Sequence, residues 1–347
     1  MLNNNANIAG RAMLTSPGTV CTELPLPPES AKMIDAARRS VFDILQGRSD
    51  RLMMIVGPCS IHDPDAALRY AGRLKALGDE VRDRFMVIMR VYFEKPRTTL
   101  GWKGLIYDPD LNGEYNIEKG IVMARRLLLK IAELGLPAAT EMLDPVISAY
   151  LEDTITWAAI GARTTEAPIH RQLASGLPMA VGFKNSTDGD FQTAIDAVAT
   201  ARSPHSFIGT MENGHTGIFR TKGNPYCHVV LRGGNSGPNY DAVRVSDLKE
   251  RLRKANLPER IVIDCSHANS GKDPRKQHIV LRDVIRQCRD GEKAIAGIML
   301  ESWFREGCQK LQAGVTPCPE LSITDPCIGW EETEQLIREA AKKLRTV

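Results

Sequence analysis

The chain has 347 residues, 43% of them hydrophobic and 25% charged, with a formal net charge of +3. This composition is typical of a soluble globular protein, and the mild charge does not favour nucleic acid or a membrane surface as a partner. No apolar stretch approaches the roughly 20 residues that span a bilayer, and the first residues lack the pattern of a secretory signal. The eight cysteines have no paired spacing, so we expect free thiols in a reducing, cytoplasmic compartment.

The first residues of the chain are predicted to form an arm. Residues 1 to about 28 show no hydrophobic period and end in the stretch ELPLPPES. A helix is predicted from about Ser30 to Gln46, because Ile34, Ala37 and Val41 fall on one face. We therefore divide the chain into an N-terminal arm for oligomerisation or regulation, residues 1–35, and a catalytic domain, residues 36–347.

Beyond this helix, short apolar runs alternate with amphipathic segments, a pattern that predicts parallel strands joined by helices. Eight runs are predicted to be strands: residues 52–56, 85–93, 137–141, 157–161, 179–183, 228–232, 261–265 and 294–301. With the connecting helices they indicate an α/β fold, a (β/α)8 TIM barrel. The stretches 206–209 and 217–220 predict a β-hairpin, about 206–222, inserted between the fifth helix and the sixth strand. A doubly wound open sheet is the alternative.

All eight runs end in, or run into, a polar or charged residue, at the barrel end where catalytic groups are found. Five of these residues are cations, which would repel one another unless an anion lay among them. Arginine forks bind phosphate and carboxylate, so the sequence predicts a small ligand that carries both groups. Glu141, at the end of the third run, is expected to hold a cation or a water molecule. The cations are Arg90, Lys95, Arg163, Lys184 and Arg232.

A second set of strand-end residues offers sulfur, nitrogen and oxygen donors. These residues are Cys59, His267, Glu301 and, just before the last helix, Asp325. A mixed set suits one borderline divalent ion, Mn²⁺, Fe²⁺, Co²⁺ or Zn²⁺. The alternatives are a buried structural cysteine and an ordinary half-buried histidine. His62, although close to Cys59 in sequence, is interpreted as a local loop or capping residue.

The segment 93–116 is predicted to be a lid or binding loop, because it is long and rich in Gly and Pro. Its Lys95-Pro96-Arg97-Thr98 stretch places two cations and a hydroxyl around a rigid proline, which predicts a second phosphate site.

Eight motifs now show a resemblance to a known family. In chain order they are GPCSIHDP (57–64), MRVYFEKPRTTLGWKG (89–104), IGARTTE (160–166), VGFKNSTDG (181–189), LRGG (231–234), DCSHANS (264–270), GIMLES (297–302) and SITDPCIGWE (322–331). The chain resembles the type I 3-deoxy-D-arabino-heptulosonate 7-phosphate (DAHP) synthases over nearly everything after residue 35. The resemblance implies condensation of phosphoenolpyruvate with erythrose 4-phosphate and release of phosphate, the first step of the shikimate pathway.

The resemblance also implies roles for individual residues. It assigns phosphoenolpyruvate to the five cations, erythrose 4-phosphate to the stretch Lys95 to Thr98, and the divalent ion to the four donors. Lys95 is the candidate to protonate the new hydroxyl, and Glu141 or His267 to orient the attacking water. An aromatic amino acid is the expected inhibitor, at a candidate effector site that includes Ser148 and Pro178 beside the hairpin. We also expect a homodimer or a homotetramer.

Three other functions are kept open. A related synthase would use arabinose 5-phosphate instead of the four-carbon aldehyde. An aldolase would use Lys184 to form a Schiff base. A binding or regulatory protein would hold phosphoenolpyruvate without releasing phosphate.

Overall fold

The computed structural model describes residues 7–97, 99–312 and 314–345. Eight parallel strands close into a barrel in the order β1-β10-β9-β8-β5-β4-β3-β2. The strands are β1 (Leu52–Gly57), β2 (Phe85–Arg90), β3 (Ala138–Glu141), β4 (Trp157–Ile160), β5 (Ala180–Lys184), β8 (His228–Leu231), β9 (Ile261–Asp264) and β10 (Ile295–Glu301). The predicted (β/α)8 barrel is confirmed, and the alternative of an open sheet is wrong.

Each barrel strand is followed by a helix, and two more helices precede the barrel. The helices are α1 (Pro17–Glu23), α2 (Pro28–Leu45), α3 (Pro64–Glu80), α4 (Ile117–Glu133), α5 (Pro145–Leu151), α6 (Pro168–Gly176), α7 (Gln192–Ala201), α8 (Ala242–Lys254), α9 (Gln277–Arg289) and α10 (Trp330–Arg345). The predicted hairpin is also confirmed: β6 (Ser206–Thr210) pairs with β7 (Thr216–Arg220) between α7 and β8. No helix in the described part of the chain is long and apolar enough to cross a membrane.

Side chains alternate along each strand between the barrel interior and the helices outside. The interior set, which includes Met53, Ile88, Ala139 and Trp157, forms a continuous apolar cluster. One face of α2 joins this cluster through Val41 and its neighbours and covers the N-terminal ends of the strands. The barrel is therefore filled and closed at one end, which leaves the C-terminal end for chemistry.

The arm contains a helix, α1, that the sequence did not predict. Ser16 caps it, and the Gly18 N–H donates to the carbonyl of Glu212 in the hairpin turn, 2.7 Å away. The Tyr150 hydroxyl in α5 donates to the carbonyl of Thr15 at 2.7 Å. The arm thus packs on the hairpin and on α5 of its own chain. Residue 35, the predicted end of the arm, lies inside α2.

Candidate active site

Six charged side chains occupy the last interior layer of the barrel, at the C-terminal ends of the strands. The alternation that turns Ile88, Ala139 and Val262 inward also turns the residues two positions further on inward. Cations and carboxylates are present in equal number, and five of the six residues are buried. The layer consists of Arg90, Glu141, Lys184, Arg232, Asp264 and Glu301.

Two glycines keep this layer open where β1 and β4 would otherwise contribute side chains. A Cβ atom on Gly57 would lie 2.4 Å from the carbonyl oxygen of Arg90. A Cβ atom on Gly161 would lie 2.3 Å from Oε1 of Glu141. Since contacts this short do not occur between real atoms, the charged layer requires glycine at both positions.

Arg90 is held in place by its own strand neighbours. Its guanidinium is fully buried and donates to Oε1 of Glu301 at 2.8 Å and to the carbonyl of Pro58 at 3.0 Å. The Tyr92 ring stacks under it, with Cζ of Arg90 3.5 Å from the ring centroid. Such a pair is held firmly, because the guanidinium has several partners and neither charge reaches solvent.

Lys184 is likewise paired with a carboxylate of the protein. Its Nζ donates to Oδ2 of Asp264 at 3.0 Å, and both side chains are buried. The expectation that the cations require an added anion is therefore wrong for Arg90 and Lys184, because barrel closure supplies Glu301 and Asp264. Arg232 is different: its only described side-chain hydrogen bond, at 3.3 Å, goes to the carbonyl of Gly233.

Glu141 is the member of the layer that has a fully buried oxygen without a partner among the described residues. Its side chain is buried, and Oε1 has no hydrogen-bond partner among the described residues. An unpaired buried carboxylate oxygen is costly, so it marks a place where water or a ligand group is expected. The Tyr92 hydroxyl, next to Arg90, is also buried and has no described partner either.

Lys95 reaches back to Cys59 at the end of β1. Its Nζ donates to the Cys59 carbonyl at 3.0 Å and lies 3.1 Å from Sγ. Burial alone would lower the pKa of Lys95, but Cys59 raises it, so the amine stays an ammonium. Burial and then Glu301 raise the pKa of the Cys59 thiol, and Lys95 opposes this.

Three of the four predicted metal ligands lie together. One donor atom from each of Cys59, Glu301 and Asp325 lies within 4.8 Å of the other two. A thiol and two carboxylates, two of the three residues being buried, form a donor set that fits a borderline divalent cation. Burial would raise the pKa of Asp325, but Lys95 and then His267 lower it, so the carboxylate form is favoured.

His267, the fourth predicted ligand, lies at the edge of this set. Its Nε2 is 3.8 Å from Oε1 of Glu301, and its Nδ1 is 2.9 Å from Oδ2 of Asp264. The Ser266 hydroxyl lies 2.6 Å from Oδ1 of Asp264 and 2.7 Å from Nδ1 of His267. If Ser266 donates to Asp264, its oxygen accepts the Nδ1 proton, which leaves the lone pair of Nε2 facing the donor set.

Asp264 is the residue of this site that the sequence analysis missed. Burial would raise its pKa, but His267 and Lys184 hold that pKa well below its usual range. The strand alternation that continues from Val262 could have identified it. The predicted run ends at Cys265, so Asp264 falls inside the run and not at its end.

The remaining predicted phosphate ligands lie further from the buried layer. Arg163 is exposed after β4. Burial lowers the pKa of Arg232 and the charge of Arg163 lowers it further, whereas Asp264 raises it. Arg97 is exposed, and its Nε donates to the Trp102 carbonyl at 2.9 Å, while Pro96 is half-buried. Thr98 lies outside the described residues.

The candidate effector residues lie in α5 and directly after α6. Ser148 is buried in α5 and donates to the carbonyl of Pro145 at 2.7 Å. Pro178 is exposed between α6 and β5. Strand β6 of the hairpin packs against both α5, which contains Ser148, and α6, which ends two residues before Pro178.

His62 is neither a local loop contact nor a helix cap. Its Nε2 lies 3.3 Å from the carbonyl of Cys318, which is more than 250 residues away in the chain. Asp63 caps α3 instead, because its side chain accepts from the N–H of Ala66 at 2.7 Å. The local interpretation of His62 was therefore wrong.

A closed parallel barrel with a charged layer and a donor set at its C-terminal end is typical of a TIM-barrel enzyme. Comparison with known proteins makes the class specific. The DAHP synthetase I family matches residues 25–338. The Phe-sensitive phospho-2-dehydro-3-deoxyheptonate aldolase of Escherichia coli K12 is 49% identical over 99% of this chain and 98% of its own. The Tyr-sensitive enzyme of the same strain is 47% identical over 98% of this chain and 96% of its own.

The structure gives the same result. The phospho-2-dehydro-3-deoxyheptonate aldolase from Francisella tularensis SCHU S4 superposes with a TM-score of 0.95 at 45% identity, covering 98% of this chain and 99% of that one. The chain therefore belongs to the DAHP synthetase I family and is an enzyme of the transferase type.

Proposed function

We propose that this enzyme condenses phosphoenolpyruvate with erythrose 4-phosphate and water to give DAHP and inorganic phosphate. The observation that carries the proposal is the charged interior layer next to the donor set, in a chain of this family. The layer offers cations for a phosphate and a carboxylate, and the donor set lies directly beside it. In the reaction, C3 of phosphoenolpyruvate bonds to the aldehyde carbon, water adds at C2, and the bond between C2 and the phosphate oxygen breaks.

Phosphoenolpyruvate is assigned to the cations of the layer and its rim. Arg232 and Arg163 have the least engaged guanidinium groups, so they are the strongest candidates to bind its phosphate. Arg90 and Lys184 already have carboxylate partners, so they would share their remaining donors with the substrate. Preorganised cations of this kind stabilise the charge that develops on the leaving phosphate. Erythrose 4-phosphate is assigned to Lys95 and to the stretch from Pro96 to Thr98.

The donor set is assigned to one divalent ion, held by Cys59, Glu301, Asp325 and His267. When bound, the ion would position and polarise the aldehyde oxygen of erythrose 4-phosphate. Mn²⁺, Fe²⁺, Co²⁺ and Zn²⁺ all suit a set with one thiolate.

Lys95 is assigned the role of general acid. As an ammonium beside Cys59, it lies between the donor set and the loop assigned to erythrose 4-phosphate. It can therefore give a proton to the aldehyde oxygen as the new carbon–carbon bond forms.

Glu141 is favoured over His267 as the residue that orients the attacking water. Oε1 of Glu141 has no described partner, whereas Nδ1 of His267 is engaged with Asp264 and Ser266. A carboxylate oxygen that accepts from water would turn the water lone pair toward C2.

A Schiff-base aldolase is not supported. The nucleophile of such an enzyme must be a neutral amine, but Nζ of Lys184 forms a buried ion pair with Asp264. Borohydride should therefore fail to inactivate the enzyme in the presence of substrate.

Phosphate release by the purified enzyme tests the proposal. We expect release with phosphoenolpyruvate and erythrose 4-phosphate together, and none when arabinose 5-phosphate replaces the four-carbon aldehyde. Treatment with a chelator should abolish release, and Mn²⁺ should restore it. Binding of phosphoenolpyruvate without phosphate release would instead favour the regulatory-protein alternative.

Regulation by an aromatic amino acid is proposed as well, because the relatives are named for sensitivity to Phe, Trp or Tyr. The surface where α5, α6 and the hairpin meet, with Ser148 and Pro178, is the candidate site. Initial rates with each of the three amino acids added separately would identify the inhibitor.

We also propose that the enzyme forms a homodimer or a homotetramer. All eight cysteines are free, which supports a cytoplasmic enzyme.

A further inference from the structure

Asp264 connects two groups that the proposed function assigns to different ligands. Its Oδ2 lies 3.0 Å from Nζ of Lys184, in the phosphoenolpyruvate site, and 2.9 Å from Nδ1 of His267, at the edge of the metal site. Its Oδ1 accepts from the N–H and the hydroxyl of Ser266, at 3.0 and 2.6 Å. The side chain is 0% exposed, so these contacts do not compete with bulk water.

We infer that Asp264 is a positioning residue through which phosphoenolpyruvate binding at Lys184 and divalent metal binding at His267 strengthen each other. The inference rests on the proposed function and goes beyond it, because it concerns the energetic coupling between the two sites. The key feature is that one oxygen atom, Oδ2, serves both partners.

The direction of the coupling follows from the charges. An anionic group of phosphoenolpyruvate that approaches Lys184 takes up its remaining donors and weakens the interaction of the ammonium with the shared oxygen. The Asp264 carboxylate is then less neutralised and interacts more strongly with the N–H of His267. A carboxylate on the second nitrogen of an imidazole makes the first nitrogen a better metal donor. Phosphoenolpyruvate therefore raises metal affinity, and by reciprocity the metal raises phosphoenolpyruvate affinity by the same factor.

Only a carboxylate at this position can perform this role. The Lys184 ammonium, which donates at 3.0 Å, and Nδ1 of His267, 2.9 Å away, converge on Oδ2. An amide oxygen could accept a hydrogen bond, but it carries no charge to redistribute when phosphoenolpyruvate engages Lys184. Asp264→Asn thus keeps the shape and removes the coupling, whereas Ser266→Ala removes the hydroxyl contacts to Asp264 and His267 and keeps the charge.

The test measures Mn²⁺ affinity of the full chain, from the free Mn²⁺ signal in electron paramagnetic resonance, with and without saturating phosphoenolpyruvate. In the wild type, phosphoenolpyruvate should raise Mn²⁺ affinity at least about fivefold, the lower end of typical couplings. In Asp264→Asn, Mn²⁺ affinity should fall about 10- to 100-fold, and the effect of phosphoenolpyruvate should drop below about twofold. Ser266→Ala should retain most of the coupling.

Lys184→Gln supplies a test of opposite sign. Without phosphoenolpyruvate its Mn²⁺ affinity should equal or exceed that of the wild type, because Asp264 then serves His267 alone. A fall in Mn²⁺ affinity in Lys184→Gln would overturn the inference. So would coupling of wild-type size in Asp264→Asn, or a wild type whose Mn²⁺ affinity phosphoenolpyruvate leaves unchanged.

These measurements separate this inference from the proposed reaction, because they need no turnover. Phosphate release by the wild type tests the reaction, and the Mn²⁺ titrations test the coupling. If Asp264→Asn does not fold, the wild type and Lys184→Gln still decide the outcome.

Discussion

Nζ of Lys95 lies 3.1 Å from Sγ of Cys59 and 3.0 Å from the carbonyl oxygen of the same residue. The Lys95 ammonium therefore contacts the thiol assigned to the metal, and Lys95 is also the first residue of the stretch assigned to erythrose 4-phosphate. No other cation among the described residues makes a hydrogen bond to the Cys59 thiol. This position explains why Lys95 is the residue proposed to deliver the proton.

Lys95→Met should abolish most of the activity without unfolding the protein. The variant keeps the length of the side chain and removes the proton donor, so we expect kcat to fall by roughly 10²- to 10⁴-fold. Steady-state phosphate release measures the effect. Lys103→Met is the matched control, because Lys103 is exposed in the same loop. A Lys95→Met enzyme with normal turnover would remove Lys95 from the mechanism.

The barrel could be predicted from the sequence because its strands are buried on both faces and therefore appear as continuous apolar runs. The polar residues that end these runs could be assigned to one rim, since parallel strands end at the same edge. Closure of the barrel makes β1 and β10 neighbours, so the sequence could predict that Cys59 and Glu301 lie close together, near Asp325.

The partners of the cations could not be predicted in the same way. The pairs of Arg90 with Glu301 and of Lys184 with Asp264 join residues 211 and 80 positions apart. They depend on side-chain reach across the barrel interior, which a one-dimensional pattern does not contain. Helix α1 was not predicted because its sequence has no hydrophobic period. The segment that contains it is held by contacts to the hairpin and to α5, which the local sequence does not show.

Gly161→Ala should reduce turnover by displacing Glu141. The added methyl would lie 2.3 Å from Oε1 of Glu141, so the carboxylate must move from the position proposed to orient water. We expect a fall in kcat of about 10-fold or more and a loss of about 1–3 kcal/mol in the free energy of unfolding. Mn²⁺ affinity should change little.

Gly72→Ala is the control for this substitution. Gly72 is exposed in α3 with nothing within 4 Å of its Cβ position, so alanine there should stabilise the protein by up to about 1 kcal/mol and leave kcat unchanged. Normal turnover of Gly161→Ala would contradict the role of Glu141.

Glu94→Gln should change the pH dependence of stability in the neutral range. Burial and then Asp144 raise the pKa of Glu94 to about 8, and its Oε1 accepts from the N–H of Asp144 at 3.3 Å. In the unfolded chain the carboxyl ionises near its ordinary pKa. Folding therefore requires a proton at Glu94 between these two values, and the wild type loses stability as pH rises from about 4.5 to 8.

Glutamine is neutral at every pH and keeps an oxygen for the Asp144 N–H. The free energy of unfolding of Glu94→Gln should therefore rise relative to the wild type by on the order of 3 kcal/mol between pH 5 and pH 8. Urea unfolding at several pH values measures the difference. Glu114→Gln, exposed in the same loop, should show no such trend. A constant difference between Glu94→Gln and the wild type would show that Glu94 does not hold a proton.

His228→Gln should change the pH dependence in the acidic range and with the opposite slope. His228 is buried in β8, where Nε2 accepts from Nε1 of Trp157 at 3.2 Å and Nδ1 donates to the Tyr226 carbonyl at 3.0 Å. Burial lowers the pKa of His228 to about 4, whereas in the unfolded chain it titrates near 6.5. The unfolded chain therefore binds more protons in this window, and the wild type loses stability as pH falls from about 6.5 to 4.

Each pH unit inside this window should cost the wild type about 1.4 kcal/mol through this single histidine. His228→Gln keeps an acceptor for Trp157 and a donor for Tyr226 but cannot be protonated, so its unfolding free energy should decline less steeply. Urea unfolding at pH 7, 6, 5 and 4.5 gives the comparison, and the carboxylates that titrate in both proteins cancel in the difference. His215→Gln, exposed in the hairpin turn, should follow the wild type. Equal slopes for His228→Gln and the wild type would mean that His228 is protonated in the folded protein, which is incompatible with its Nε2 accepting the Trp157 N–H.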